Sequence, residues 1–383
     1  MDQETVSLLR CEAYDREKLT AVIAAHFENM GGLSCLVPEN CRVVIKPNLV
    51  IGKDPARGAT THPEFLRALV SVLRRRTGNI VIAESPGGPG GEARFAAVCR
   101  AAGIRDLGCE IVFSGETREI SCPDGVKVKS VPVLAVIAEA ELVISAAKLK
   151  THSLMTYTGA AKNMFGAVYG LEKSEYHFRY PKLEDFSDFL TDLVSAVPPQ
   201  ISFVDGIIGM EGNGPTGGDS VFAGLTFAGT NPFALDAVAG QTVGIGVDEN
   251  PLVKTAAKRG LWSGDLSKIK IFGEEGCPVF SLEEYAKPFR RPDSVGALDF
   301  SAFRWIPGPV MRLLKKAFTP KPFVIKDRCV GCGECALSCP RKIIRISGKK
   351  AEIDRKNCIS CFCCQEMCPQ EAIRAKKRLS VRF

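Results

Sequence analysis

Sixteen cysteines stand in this 383-residue chain, and eight of them fall into two runs of one spacing. Cys329, Cys332, Cys335 and Cys339, with Pro340 next, form Cys-x2-Cys-x2-Cys-x3-Cys-Pro; Cys358, Cys361, Cys364 and Cys368, with Pro369 next, repeat it. Three thiolates this close can wrap one face of an iron–sulfur cubane, and the fourth ligand must come from elsewhere. Zinc sites use four ligands at other spacings. Disulfides suit small secreted chains, whereas this pattern in a reducing compartment points to metal. The chemistry expected of the runs is one-electron transfer. The plainer alternative is a pair of clusters that merely staple a small domain. Cys363 lies between ligands and reads as a spare thiol that could replace Cys364.

A second set of residues is less legible. Lys46-Pro47-Asn48, then Lys148, Lys150 and His152, then Lys162-Asn163, each follow an apolar run expected to be a strand. Asp205 opens a Gly-rich stretch that passes through Glu211, Gly212 and Gly214 to Asp219. Lysines gathered at one sheet edge repel one another unless an anion sits among them. The expected guest is an anionic small molecule held by Lys46, Lys148, Lys150 and Lys162, with Asn48 and the amides of Gly212 and Gly214 beside it. Lys148, Lys150, His152, Lys162, Asn163 and Asp205 are the catalytic candidates. His152 and His177 could join Asp205, Glu211 or Asp236 around a divalent metal, or act as acid and base. The bland readings are solvated lysines, an Asp205 that caps a turn, and structural roles for His26 and His62. The glycines match neither the dinucleotide fingerprint nor the P-loop, and no flavin motif is visible.

The elements that must position these residues alternate over residues 41–275. Strands are expected at Arg42–Ile45, Asn79–Ala83, Glu110–Phe113, Leu142–Ser145, Ile201–Val204, Leu225–Ala228 and Lys268–Phe272. Helices are expected from Thr61, with Pro63 in the first turn, and at Glu92–Ala102, Leu183–Ala196, Pro232–Val243 and Asn250–Arg259. Such alternation predicts an α/β domain, a mostly parallel sheet covered by helices, over residues 1–280. Ligands of such sheets bind at the carboxyl ends of the strands. Prolines punctuate a linker at 281–321, in which Trp305, Val310, Leu313, Leu314 and Phe318 make an amphipathic helix expected to dock the next domain. Residues 322–383, similar to ferredoxins in their cysteine runs, are expected to form a small α+β ferredoxin-like domain.

The formal charge is +7, and from Lys321 to Phe383 there are 15 Lys or Arg against 6 Asp or Glu, leaving the rest slightly acidic. A basic cluster domain favours an acidic redox partner protein, while the fold signals of nucleic-acid binding are missing. No apolar run is long enough to span a bilayer. The acidic start Met1-Asp2-Gln3-Glu4 is no secretory signal, so the cytoplasm is the expected address and membrane association is not expected.

The double cysteine run resembles bacterial-type two-cluster ferredoxins over about fifty-five residues. In those the fourth Cys of each run ligates the other cluster. The resemblance thus implies two [4Fe–4S] clusters, one on Cys329, Cys332, Cys335 and Cys368, the other on Cys358, Cys361, Cys364 and Cys339. Residues 40–265 resemble the family known as domain of unknown function 362, through Lys46-Pro47-Asn48, Lys148 to His152, Thr158 to Gly166, Val204-Asp205-Gly206 with Glu211 to Pro215, and Asn231 to Ala237. That family implies an iron–sulfur protein and supplies no reaction. The reading reached from the residues is a ferredoxin-coupled oxidoreductase acting on an anionic small molecule. An electron carrier that docks partner proteins, and a transferase or ligase with structural or sensing clusters, are its rivals.

Overall fold

The computed structural model describes residues 4–294 and 319–376, so the amphipathic stretch expected at 305–318 lies outside the described residues. Eleven strands precede it: β1 (Thr5–Arg10), β2 (Val43–Pro47), β3 (Ile80–Ala83), β4 (Glu110–Val112), β5 (Thr117–Ser121), β6 (Ser130–Leu134), β7 (Leu142–His152), β8 (Thr156–Thr158), β9 (Ile201–Glu211), β10 (Asp219–Gly229) and β11 (Lys270–Phe272). Nine build one sheet in the order β11-β1-β10-β9-β7-β2-β3-β4, with β8 against β7; β5 and β6 pair separately. Neighbours from β9 through β4 run parallel, as do β1 and β11, while β10 is antiparallel to β1 and β9. The domain is α/β with a mostly parallel mixed sheet flanked by helices.

Alternation along the strands splits the apolar residues between two cores. Val43 and Ile45 point to one face with Ile80, Ile82 and Phe203, under the helices Arg16–Asn29, Pro63–Leu73 and Glu92–Ala101. Val44 joins Val81, Val143, Val204 and Phe227 on the other, under Leu183–Ala196, Pro232–Thr242 and Pro251–Lys258. Both faces are covered, so the central strands are buried throughout: all eleven residues of β7 are buried. Tyr285 and Phe289, in the segment expected to be linker, are buried in the second core.

Two expected strands are longer than their apolar runs. Lys148, Lys150 and His152, placed beyond a strand end from sequence, lie inside β7, and Asp205 lies inside β9. Polar residues continue these strands because they meet one another across the ladder: Lys148 stands opposite Asp205 in the β7–β9 register. Beyond the linker, β12 (Lys321–Val324) pairs with β15 (Ile373–Lys376), and β13 (Ile344–Ser347) with β14 (Lys350–Ile353). Between these strands lie the two cysteine runs, each with a single helical turn, Glu334–Leu337 and Cys363–Glu366.

The helix Pro232–Thr242 also fixes the short helix Ala160–Asn163. Asp236 is buried, and its carboxylate accepts from the backbone N–H of Ala160 (2.6 Å) and Ala161 (3.0 Å). Burial pushes Asp236 up from its ordinary 3.8 to about 7, against the pull of those two amides. Between these values the folded chain keeps a proton that the unfolded chain has lost, so stability falls as pH rises through that window. Urea midpoints should decline from about pH 4 to about pH 7, and Asp236→Asn should flatten that decline; an unchanged slope in the variant would refute the assignment.

Candidate functional site

The sheet carries its lysines in two groups. In the first, Lys148 Nζ donates to Asp205 Oδ2 (2.7 Å) and Tyr14 Oη (2.9 Å), and Tyr14 donates to Asp205 Oδ1 (2.8 Å). His62 closes this group: its backbone N–H reaches Asp205 Oδ2, and its ring stacks on Tyr14 at 3.5 Å. Lys148 and Asp205 are fully buried and neutralise each other.

The second group is a chain of polar contacts. Lys46 Nζ donates to Glu84 Oε2 (2.5 Å) and Asn163 Oδ1 (3.0 Å). Asn48 Nδ2 donates to the same Asn163 oxygen, and Lys150 Nζ donates to Asn48 Oδ1 (2.8 Å) and Ala59 O (2.6 Å). Asn163 Nδ2 ties this chain to Lys46 O and Ser145 Oγ. Burial pushes Lys46 down and Glu84 up, each opposed by the other's charge. Lys150 lacks a carboxylate partner, and burial, reinforced by Lys162, pushes it well down. Gly166 is required here: a Cβ would lie 2.1 Å from Glu84 Oε1 and 2.6 Å from Lys46 Nζ.

This chain forms one wall of a cavity of about 80 Å³. Lys46, Glu84, Lys162, Lys173 and His177 line it from the α/β domain; Cys363, Glu366 and Met367 line it from the cluster domain. Lys173 Nζ donates to Ser85 O (3.0 Å), Ser85 Oγ (3.1 Å) and Val168 O (2.6 Å), and burial lowers it to about 7. His152 Nδ1 accepts from the N–H of Leu154 and Met155, which leaves its ring proton on Nε2. That atom stands 3.2 Å from Glu366 Oε1, a contact whose alignment falls short of a hydrogen bond. Burial pushes His152 well down, aided by the charges of Lys162, His177 and Lys150.

The two domains are stapled around the cavity. Gln365 Nε2 donates to Ser153 Oγ (2.9 Å), Thr216 Oγ1 donates to Glu366 O (2.8 Å), and Glu371 accepts from Lys53 and Arg57. Arg94 pairs with Glu334 at 2.9 Å.

The thiols fit iron–sulfur ligation. Cys329, Cys332, Cys335 and Cys368 together line one pocket. The charges felt by Cys335 are those of Cys368, Cys332 and Cys329. Cys358 feels Cys361 and Cys339, and Cys364 feels Cys361, Cys358, Cys335 and Cys339. Cys368 thus stands with the first run, and Cys339 stands near the second. Backbone N–H groups of Ala351, Ser360 and Ala372 donate to the sulfurs of Cys329, Cys358 and Cys368 at 3.2–3.3 Å. Such bonds favour the thiolate form.

Of the residues picked out from sequence, Lys46, Asn48, Lys162 and Asn163 line the cavity. Lys150 and His152 lie behind them, bonded to Asn48 and beside Glu366, while Lys148 and Asp205 form the separate centre with Tyr14. The Gly212 and Gly214 amides are already spent, on Arg290 O and Gly212 O, and Glu211 pairs with Arg290. Among the described residues no three His, Cys, Asp or Glu side chains gather as a metal site. His152, His177, Asp205, Glu211 and Asp236 each go to the partners described or, for His177, stack on Phe186. Lys173, Glu366 and Met367 escaped the sequence reading. Lys173 carries no local signal, and the other two were hidden among the cysteines.

Fold and thiol geometry together define an α/β domain joined to a ferredoxin-like [4Fe–4S] domain. Residues 43–241 match the family described as domain of unknown function (DUF362), and residues 321–369 match a 4Fe-4S dicluster domain; the chain belongs to the DUF362 family. It is 33% identical over 238 residues to thylakoid-associated protein sll1697 of Synechocystis sp. (strain ATCC 27184 / PCC 6803 / Kazusa), covering 61% of this chain and 73% of that relative. Among solved structures it is similar to the lactate racemase apoprotein of Thermoanaerobacterium thermosaccharolyticum, with a TM-score of 0.43 and 14% identity, over 62% of this chain and 57% of that one. No helix among the described residues is long and apolar enough to cross a membrane.

Two outcomes test this geometry. Lys46→Met strands the buried Glu84 carboxylate and should cost roughly 3–5 kcal/mol, whereas adding Glu84→Leu should restore much of the loss; denaturant unfolding reads both. Cys363→Ser should keep its full iron and sulfide, while Cys363→Ser with Cys364→Ser should lose about half of each in iron and acid-labile sulfide assays.

Proposed function

We propose that this chain is a ferredoxin-coupled oxidoreductase that holds two [4Fe–4S] clusters and acts on an anionic small molecule in the cavity between its domains. One observation carries the reading: Cys363, Glu366 and Met367, interleaved with the ligands Cys364 and Cys368, line the same cavity as Lys46, Lys162 and Lys173. When bound, the clusters supply single electrons at that wall.

The chain's own residues do the rest. Lys162 attracts the anion, and the Lys46–Glu84–Asn163 chain keeps the wall rigid. Lys173, lowered to about 7 and fixed by three acceptors, holds a proton at neutral pH where a reduced ligand needs one. The covalent fusion keeps donor and acceptor together at high effective concentration. A redox partner protein, acidic to suit the basic cluster domain, delivers electrons from outside. A reducing compartment, the cytoplasm, completes the proposal, since thiolate ligands survive there. The relative's name places that protein at the thylakoid.

Anaerobically reconstituted protein, reduced and then mixed with pooled anionic metabolites, should be reoxidised by one of them, followed by loss of the reduced-cluster electron paramagnetic resonance signal. Lys162→Ala should slow that reoxidation without changing the signal itself. Lys173→Met should remove the fall in rate above about pH 7 that loss of its proton produces. If neither variant alters reoxidation by any compound, the cavity is not where electrons leave.

A further inference from the structure

Four lysines reach the cavity or the wall behind it, and three have acceptors. Lys46 has Glu84 and Asn163, Lys150 has Asn48 and Ala59 O, and Lys173 uses all three of its protons on Ser85 and Val168. Lys162 differs. Among the described residues it has no hydrogen-bond acceptor: the Phe165 ring lies 5.9 Å from Nζ, and the Glu366 carboxylate acts on it through charge without a bond. A second group on the same lining is also unmet. Thr158 is 3% exposed, and its Oγ1 is buried without a hydrogen-bond partner. A buried orphan hydroxyl is costly, and an ammonium on the same lining without a bonded acceptor costs more, unless a ligand supplies the missing acceptor.

The pairing along the lining sets the ligand's valence. Lys46 is matched by Glu84, and the protons of Lys173 go to Ser85 and Val168, which leaves Lys162 as the lining ammonium without a bonded acceptor among the described residues. One negative charge suits it. The supply of donors sets the headgroup. Phosphate sites draw on several backbone amides or on arginine forks. Here the first amides of the helix Ala160–Asn163 already serve Asp236, and no arginine is among the lining residues. An ammonium and one hydroxyl match the two oxygens of a carboxylate. The rest of the lining is apolar: Leu49, Val50, Phe165 and Pro215 from the α/β domain, and the thioether of Met367 from the cluster domain. Aromatic rings pack well on such thioether and phenyl surfaces.

We infer that the cavity binds a monocarboxylate with an apolar, aromatic-type body, its carboxylate held by Lys162 Nζ and Thr158 Oγ1 and its body seated among Leu49, Phe165 and Met367. This deepens the proposed function, resting on the cavity as the ligand site but not on electron transfer.

The test therefore uses full-length, cluster-loaded protein with its clusters kept oxidised, and calorimetric titration under anaerobic conditions. The probes are 2-naphthoate, the neutral isostere 2-naphthylmethanol, and inorganic phosphate. Wild-type protein should bind 2-naphthoate at least about tenfold more tightly than the alcohol, the loss expected when a charged hydrogen-bonding partner is removed. Lys162→Met and Thr158→Val should each weaken 2-naphthoate binding by about tenfold, and Lys162→Arg should restore most of it. Iron content and circular dichroism identify any variant that fails to fold, and the acid-to-alcohol comparison needs no variant. Equal binding of acid and alcohol, undiminished binding in folded Lys162→Met, or binding of phosphate but not of 2-naphthoate overturns the inference. Normal 2-naphthoate binding in a protein that no anion reoxidises would leave this inference standing and remove the oxidoreductase reading.

Discussion

An ammonium group taken out of water must find its acceptors within the protein, and Lys46, Lys148 and Lys150 sit where water cannot follow. The sheet is arranged around that demand. Asp205 stands on β9 opposite Lys148, Glu84 follows β3 to reach Lys46, and Asn48 and Asn163 span the distance between Lys46 and Lys150. Each partner comes from a different segment, so the polar contacts also fix how β2, β3, β7 and β9 lie side by side. Apolar packing on the two sheet faces supplies the bulk of the favourable burial. The polar contacts select a single register, because slipping any strand by one residue would leave a charge unpaired.

A parallel constraint acts in the cluster domain. Thiols gathered in quartets oppose one another's ionisation; burial, reinforced by the charges of Cys368, Cys332 and Cys329, lifts Cys335 to about 11. Iron relieves both effects. The two constraints meet at the helical turn Cys363–Glu366, which presents Glu366 toward Lys150 and Lys162 while Gln365 bonds Ser153. Close approach is enforced from the far side by Gly87, where a Cβ would lie 2.5 Å from Met367 Sδ.

Much of this was legible in the residues themselves. The double cysteine run pointed to iron–sulfur ligation, and short Val- and Ile-rich runs located seven sheet strands. Lys46, Asn48, Lys162 and Asn163 stood out and do line the cavity. The misses share a physical cause. Lys148 to His152 looked like a loop because polarity usually ends a buried strand, and only the partner Asp205, 57 residues on, makes it tolerable. Tyr14 and Lys173 gave no local sign, since their roles arise from contacts with β9 and the Ser85 turn. Strand β1 was not anticipated, although Val6 and Leu8 are fully buried. The cavity itself could not be foreseen, because its walls lie some 200 residues apart in the chain.

The turn that closes the cavity is also the turn that carries Cys364, and this has a consequence for how the protein matures. Its shape depends on the inorganic core it grips. A newly made chain that has not received iron and sulfide lacks the last wall of its cavity, however well the sheet has folded. Metal insertion is then the step that completes the cavity, and a chain short of iron would keep that wall unfinished.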